Sequence, residues 1–394
     1  MLDRVACGDL PPKPHLALRQ GGALRYEECL TRAGFDGPYS ILYREHPPQA
    51  FERVPPHSVA APLTAVPENP LARRHYVTTR AVSGGPPLST RVPLLFNEDV
   101  VVSVLRPTES DPCYFVNADG DSLFFVRQGA GTLRSGFGDL DFSAGDYLCV
   151  PKGVLHRFVL GEGPAELFLV ECLGGLSVPR EFRNETGQLR MDAPYSHRDF
   201  GRPKFRGPMD EGIREAVVKR GGVHHGLRWD HSPLDVVGWD GTVYPFTFPI
   251  LAFQPRVSSI HLPPTVHGTF AARGALVCSF VPRPLDFHPD AVPCPYPHSS
   301  VDVDEVLYYV SGDFASRTGI EPGSLTLHPA GVPHGPHPGR YESSLGARRT
   351  EEVAVMIDCH RPLFRTAIAT ALEDTEYDGS FRAPANESSS SRGD

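Results

Sequence analysis

Short apolar runs, interrupted at close intervals by proline and glycine, make up most of this chain. The 41 prolines and 38 glycines are spread along the sequence rather than gathered in one segment. Such punctuation is typical of many short strands joined by tight turns. Apolar residues recur at helical spacing in residues 363–373, directly after Pro362, which predicts one helix there. The pattern therefore predicts an all-β protein with few short helices.

Composition and charge narrow the kind of partner. The chain has 394 residues, 40% of them hydrophobic, so it can bury a large core in two domains or in one large β unit. Its net charge of -9 and the lack of a Lys/Arg cluster argue against nucleic acid and against an anionic membrane surface. No run is long and apolar enough for a signal peptide or a membrane span. We expect a cytoplasmic protein that acts on a small molecule.

One spacing suggests a metal site. Residues 323–334 follow the pattern G-x5-P-x-G-x2-H, which is the second motif of a cupin barrel and ends in His334. Upstream, Glu305 stands seven residues before Gly312, as at the end of the first cupin motif, and His298 precedes it. Two histidines and one carboxylate with open coordination positions form the facial triad of non-haem Fe(II) oxygenases. The spacing predicts His298, Glu305 and His334 as ligands of Fe(2+).

Three acidic residues follow His298, so the identity of the carboxylate ligand needs an argument. On a regular strand Glu305, Leu307 and Tyr309 share one face, whereas Asp302 and Asp304 point to the other. A carboxylate in an apolar inward row is costly to bury unless it is paired or binds a cation. This favours Glu305, while a strand irregularity that turns Asp304 inward stays open as the alternative.

The first half repeats the second motif but lacks the rest of the set. Residues 145–156 have the same spacing and end in His156, but Ser122 stands where a glutamate is needed. We therefore interpret His156 as a structural histidine in a degenerate cupin unit. The predicted organisation is bicupin-like, with an N-terminal β domain over residues 1–250 whose cupin unit is metal-free. A catalytic cupin domain over 251–378 and a disordered tail over 379–394 follow.

From about Tyr39 to Leu372 the sequence resembles the homogentisate 1,2-dioxygenase family. The segments that carry the resemblance are Ser40-Ile-Leu-Tyr-Arg44, Asp235-Val-Val-Gly-Trp239-Asp-Gly, Tyr296-Pro-His298, Leu327-His328 and Pro333-His334-Gly-Pro336. The resemblance implies the same three iron ligands that the cupin spacing gives. It also implies cleavage of homogentisate by O2 to maleylacetoacetate, a step of tyrosine and phenylalanine catabolism, and a homo-oligomer, either trimer or hexamer.

The resemblance also implies roles for residues around the iron. His261 takes the place of the family's acid/base histidine, which fits an imidazole that accepts a phenolic proton near neutral pH. Tyr296, Arg317, His328 and His334 take the places of substrate-binding residues. Arginine can bind a carboxylate through two hydrogen bonds, although it is not geometrically equivalent to the family's lysine at this position.

Departures from the family pattern leave the substrate open. Six residues separate His298 from Glu305 where the family usually has five, Arg317 replaces a lysine, and Phe314 stands where tyrosine is common. A dioxygenase of the same class acting on gentisate or another substituted hydroquinone is the alternative enzyme. A non-enzymatic bicupin that binds metal or senses an aromatic acid is a third reading, since fold alone does not fix chemistry.

Overall fold

The computed structural model describes residues 3–57, 63–67, 70–314 and 316–382, and strands dominate it. Within these ranges the strands, numbered in chain order, are β1 Val5–Gly8, β2 Arg19–Gln20, β3 Ala23–Leu24, β4 Tyr26–Thr31, β5 Tyr39–Arg44, β6 Glu52–Val54, β7 Arg74–Val77, β8 Val92–Phe96, β9 Val100–Leu105, β10 Tyr114–Asn117, β11 Asp121–Gln128, β12 Ala130–Ser135, β13 Gly138–Ser143, β14 Asp146–Val150, β15 His156–Leu160, β16 Glu166–Cys172, β17 Leu176–Ser177, β18 Glu215–Arg220, β19 Val223–Arg228, β20 Val236–Gly241, β21 Phe246–Pro249, β22 Gly268–Ala272, β23 Ala275–Phe280, β24 Arg283–Pro284, β25 Asp304–Ser311, β26 Ser324–His328, β27 Arg349–Thr350, β28 Val353–Cys359 and β29 Phe364–Arg365.

Helices are few and short. The α-helices of the described ranges are α1 Arg340–Ser343 and α2 Ala367–Leu372, and the 3-10 helices are Thr78–Arg80, Arg180–Phe182, His197–Asp199, Ile250–Ala252, Pro264–His267 and Tyr377–Phe381. No helix in the part of the chain that the structure describes is long and apolar enough to cross a membrane.

Three seven-stranded sheets form the body of the protein. The order of the first is β13-β12-β15-β10-β18-β19-β6, and the order of the second is β21-β14-β11-β16-β9-β8-β29. The third, β17-β22-β23-β28-β25-β26-β7, carries the second cupin motif, and a four-stranded sheet, β1-β20-β5-β4, lies at the N-terminal end. The all-β, bicupin-like fold predicted from the sequence is confirmed.

The two halves of the chain exchange strands. Strand β7, from the N-terminal half, pairs with β26 in the third sheet, and β29, from the C-terminal half, pairs with β8 in the second sheet. Their cores also meet: the rings of Phe168 and Tyr308 stack with centroids 4.5 Å apart, and the hydroxyls of Tyr147 and Ser279 lie 2.8 Å apart. One large apolar cluster therefore contains buried residues from both halves.

Two local features of the C-terminal segment differ from the prediction. The helix begins at Ala367 rather than near Leu363, because Phe364 and Arg365 pair with β8 and the Thr366 hydroxyl caps the helix by accepting from the amide of Ala369. Residues 379–381 belong to a 3-10 helix instead of the predicted tail, and Phe381 packs against His337 with ring centroids 4.3 Å apart. The rest of the predicted tail, residues 383–394, lies outside the described residues.

Candidate active site

His298 and His334 are joined through their backbones. The amide of His298 donates to the carbonyl of His334 at 2.8 Å, and the amide of His334 donates to the carbonyl of His298 at 2.9 Å. This isolated antiparallel bridge holds the two rings with centroids 4.4 Å apart. The backbone therefore fixes the spacing of the two histidines before any ligand is considered.

Both imidazoles are oriented by a carbonyl two residues earlier in the chain. Nδ1 of His298 lies 3.2 Å from the carbonyl of Tyr296, and Nδ1 of His334 lies 3.0 Å from the carbonyl of Val332. Because each Nδ1 donates its proton there, each Nε2 carries the lone pair that a metal requires. Within the described ranges, the buried Nε2 of His334 has no hydrogen-bond partner.

Glu305 supplies the carboxylate beside these two nitrogens. It lies on β25, with Oε2 3.9 Å from Nε2 of His298 and Oε1 3.8 Å from Nε2 of His334. Burial disfavours its charged form, but the hydrogen bond from His328 and the neighbouring His334 and Arg317 lower the pKa of Glu305 to about 2. The group thus combines an ionised carboxylate with two imidazoles whose Nδ1 atoms face carbonyls, which is a donor set that suits a divalent metal.

Asp304 lies on the opposite face of the strand. Its carboxylate accepts the backbone amides of Ala330 and Leu363, each at 2.8 Å. The strand is regular at this point, so the bulge that would have turned Asp304 inward does not occur, and Glu305, Leu307 and Tyr309 line the adjacent cavity.

That cavity has a volume of about 440 Å³ and combines apolar walls with charged groups. Its lining includes His261, His298, Glu305 and Arg317. Nδ1 of His261 lies 3.4 Å from Oδ2 of Asp286, so a carboxylate supports the imidazole that the sequence predicts as the acid/base. Asp286 was not found from the sequence, because no motif or spacing connects it to His261.

Arg317 is buried at the wall of the same cavity. Its Nη1 donates to the carbonyl of Gly335 at 2.6 Å and to that of Ser316 at 3.2 Å, whereas its buried Nε has no partner among the described residues. Asp313, which also lines the cavity, lies 4.0 Å from Arg340. The guanidinium therefore holds the loop and also interacts with the hydroxyls of Tyr309 and Tyr377, and only its Nε is left without a partner among the described residues.

Tyr296 and His328 occupy different surroundings from the other predicted residues. Tyr296 is 48% exposed, and its ring stands between those of His261 and His298, with centroids 5.3 and 6.2 Å away. His328 is fully buried behind Glu305, does not contribute to the cavity lining, and contacts the hydroxyl of Tyr377. Substrate binding by His328 stays a prediction, and its observed contacts are those of a residue that positions Glu305.

The N-terminal counterpart of His334 is His156, and it sits in an apolar setting. Its Nδ1 lies 2.9 Å from the carbonyl of Val154, and its ring contacts the edges of Phe115 and Phe158. Ser122, at the position that a glutamate would need, accepts a hydrogen bond from Asn117 at 3.1 Å. No carboxylate joins His156 in a metal-binding group among the described residues.

A second histidine–carboxylate group lies elsewhere in the N-terminal half. It consists of His46, His231 and Asp235, and the two imidazoles stack with centroids 4.1 Å apart. Asp235 is already paired with Arg44 at 2.9 Å and with the ring and amide of His46 at 3.0 and 2.9 Å. This satisfied network needs no metal to account for its buried charge.

Known proteins with similar sequences include dioxygenases. A family model described as homogentisate 1,2-dioxygenase N-terminal matches residues 95–250. A protein of Saccharolobus solfataricus named "Putative dioxygenase SSO1533" is 34% identical over 94% of this chain and 96% of its own length. The homogentisate 1,2-dioxygenases of Bradyrhizobium diazoefficiens and Nitrobacter hamburgensis are 28% and 29% identical over 65% and 57% of this chain, which correspond to 59% and 51% of those enzymes.

Among solved structures, a cupin 2 conserved barrel domain protein from Leptotrichia buccalis aligns with 76% of this chain at 10% identity and a TM-score of 0.36. The paired strand-built units and the histidine–carboxylate group define a protein of the bicupin class. Within that class, the chain belongs to the homogentisate 1,2-dioxygenase family.

Proposed function

We propose that this protein is an Fe(II)-dependent ring-cleaving dioxygenase that converts homogentisate and O2 to maleylacetoacetate. The observation that carries the proposal is the convergence of His298, Glu305 and His334, of which His298 and Glu305 line a cavity that also contains a supported histidine and a buried arginine. Family membership supports the class of reaction. The choice of homogentisate as the substrate rests on the chemistry of the side chains that line the cavity.

The donor set fits a resident ferrous ion. The unpartnered Nε2 of His334, the carbonyl-oriented ring of His298 and the ionised carboxylate of Glu305 are ligands of the type and number that leave positions free for substrate and O2. When bound, iron would bring the aromatic hydroxyl and O2 together and mediate electron transfer between them. Both oxygen atoms of O2 end in the product, so no external reductant is needed.

The chain's own groups bind and orient the substrate. His261, supported by Asp286, accepts the proton of a ring hydroxyl, because a neutral imidazole is a suitable base near pH 7. Arg317, whose buried Nε has no partner among the described residues, pairs with the acetate group of the substrate. Tyr296 stands next to His261, where it can pack against the bound ring. Holding both ends of a rigid aromatic acid fixes which ring bond is cleaved.

The activity is tested by oxygen uptake. Protein purified anaerobically and reconstituted with Fe(II) should consume one O2 per homogentisate and form the absorbing ring-opened product. His334→Ala should abolish this activity, whereas His225→Ala, the same change at an exposed histidine of the β18–β19 hairpin, should leave it intact. Homogentisate binding with no O2 consumption by the reconstituted protein would refute the enzymatic function.

A second substrate is favoured by one specific feature of the site. Phe314 is buried beside Tyr309, with ring centroids 4.7 Å apart, so no hydroxyl is available at the position where the family usually has a tyrosine. Gentisate or another hydroquinone acid that does not use this hydroxyl is therefore the alternative. Rates measured with a panel of such acids under identical conditions separate the two.

A further inference from the structure

A second cavity, of about 410 Å³, opens at the seam between the two halves of the chain. Its walls are largely apolar and include the rings of Phe200, Phe246 and Phe270. Cys149 comes from the N-terminal half, whereas Phe270 to Ala272 belong to β22 of the C-terminal sheet. The cavity is nearly as large as the candidate active site, so it has room for a compound with a single aromatic ring.

One arginine at this cavity has no counter-ion. Arg183 contributes to the lining, and its buried Nε has no hydrogen-bond partner among the described residues. Among the residues that the structure describes, no Asp or Glu forms an ion pair with Arg183. A guanidinium that is partly removed from water and left without an acceptor is costly, and a bound carboxylate would remove that cost.

The other charged groups around the cavity are paired, so they do not neutralise Arg183. Arg32 and Asp121 both line it, but they neutralise each other at 2.7 Å. Arg273 lies at the rim, with 74% of its side chain exposed, and its nearest acid, Asp99, is 3.6 Å away and not part of the lining. Arg32 and Arg273 are therefore each paired with a carboxylate, and Arg183 is the lining arginine with no ion pair among the described residues. An anionic ligand is favoured over a neutral or cationic one.

This cavity shares a structural element with the candidate active site. Val266 and His267 line the candidate active site, and Phe270, three residues later on the same segment, lines the seam cavity. Strand β22 pairs with β17 at Ala271 and Ala272 and with β23 over its whole length, with a register shift between Gly268 and Phe270. A ligand in the seam cavity would contact the strand that leads directly to the active-site wall.

We propose that the seam cavity is a second small-molecule site that binds an apolar or aromatic monocarboxylate. The carboxylate pairs with Arg183, and the apolar body packs against Phe200, Phe246 and Phe270. This site requires neither the iron ligands nor the proposed ring-cleaving activity, so its failure and the failure of that activity can be told apart.

Two measurements with defined probes test the proposal. Crystals of the full chain grown with 4-bromophenylacetate should show anomalous bromine density in the seam cavity, with the carboxylate at Arg183. In calorimetric titrations, phenylacetate should bind the unchanged protein, and its neutral analogue phenylacetamide should bind at least about tenfold more weakly, because it lacks the charge that pairs with arginine.

Matched variants identify the residue responsible. Arg183→Met should weaken phenylacetate binding by about tenfold or more, whereas Arg180→Met, at an exposed arginine three residues away, should leave it unchanged. Ala272→Leu, which narrows the cavity and leaves Arg183 in the sequence, should also weaken phenylacetate binding. This variant tests the site if Arg183→Met does not fold. Equal affinities in both arginine variants would overturn the proposal. Bromine confined to the candidate active site, or a seam cavity filled by a second copy of the chain, would also overturn it.

Discussion

Nδ1 of His328 lies 2.7 Å from Oε1 of Glu305, so the carboxylate is held by the protein on the side away from the cavity. Burial lowers the pKa of His328 to about 4, which keeps the ring neutral at pH 7. Nδ1 then donates to Glu305, and Nε2 accepts from the hydroxyl of Tyr377 at 3.1 Å. This chain of hydrogen bonds fixes both the tautomer of His328 and the direction of the Glu305 carboxylate.

We expect His328→Leu to weaken Fe(II) binding by about 10- to 100-fold, as is typical when the group that orients a metal-binding side chain is lost. His328→Asn should retain more affinity, because its amide nitrogen can replace Nδ1 as the donor to Glu305. The measurement is competition for Fe(II) with a coloured chelator under anaerobic conditions. Equal Fe(II) affinity in the leucine and asparagine variants would contradict a positioning role.

Tyr377→Phe tests the outer end of the same chain. It removes the donor to Nε2 of His328 but keeps the aromatic packing against Phe381, whose ring centroid lies 5.3 Å away. We expect a smaller loss of Fe(II) affinity than in His328→Leu, because the bond between His328 and Glu305 remains. A loss as large as that of His328→Leu would show that the tyrosine, rather than the histidine, controls the carboxylate.

Metal analysis should give about one iron per chain, because one complete triad with open positions is present. His334→Ala should lose that iron and keep the unfolding transition of the unchanged protein, since His334 lies in a loop outside the large apolar cluster. His231→Ala is the comparison for the second histidine group and should retain the iron. One equivalent that survives in His334→Ala but disappears in the double variant would place the metal at His46, His231 and Asp235.

Arg317→Met should raise the Michaelis constant for homogentisate far more than for hydroquinone, which lacks the carboxylate. The expected difference corresponds to roughly 2 to 5 kcal/mol, the range found when one partner of a buried charge pair is truncated. Arg317→Lys is the control, because it keeps the charge but loses the donor to the carbonyl of Gly335. Equal losses on both substrates in the methionine variant would indicate that Arg317 acts only by holding the loop at Gly335.

The protein should lose stability as the pH falls below neutrality, in part through His156. Burial lowers the pKa of His156 from 6.5 to about 4, so between these values the unfolded chain binds a proton that the folded protein does not. His156 makes its full contribution to the free energy of unfolding above pH 6.5, the pKa of the imidazole in the unfolded chain. That contribution falls by about 1.4 kcal/mol between pH 8 and pH 5.5. His156→Leu lacks this contribution. Its destabilisation relative to the unchanged protein, measured by urea unfolding, should therefore be smaller at pH 5.5 than at pH 8.

His225→Leu is the matched control for that measurement, because His225 is an exposed histidine on the same half of the chain. Its destabilisation relative to the unchanged protein should differ little between the two pH values. A His156→Leu variant whose destabilisation is the same at both pH values would show that folding does not lower the pKa of His156.

Local patterns predicted strands and turns, whereas contacts that depend on strand pairing could not be predicted from them. A local pattern of this kind is the pair Gly221-Gly222 between two apolar runs, which forms the turn of the β18–β19 hairpin with φ angles of 59° and 71°. Strand alternation separated Glu305 from Asp304 for the same local reason. The contact between His328 and Glu305 depends on the register of β25 and β26, which the sequence did not specify.

Long-range contacts account for the features that local patterns did not predict. Asp286 meets His261, and Tyr377 meets His328, through loops whose paths no local pattern determines. The helix after Pro362 begins late because Phe364 and Arg365 are used by a strand partner more than 260 positions earlier, Phe96 and Leu95. Apolar periodicity describes which face is buried, but it does not say when a distant edge will recruit the first residues of a helix.

The exchange of β7 and β29 has a consequence for how this protein could change over evolutionary time. Each half completes a sheet of the other, so deleting either half would leave a bare strand edge and an uncovered apolar face on the survivor. Strand β7 covers the edge of β26, and β26 pairs with β25, the strand of Glu305, so loss of the N-terminal half would uncover the sheet directly beside the candidate active site.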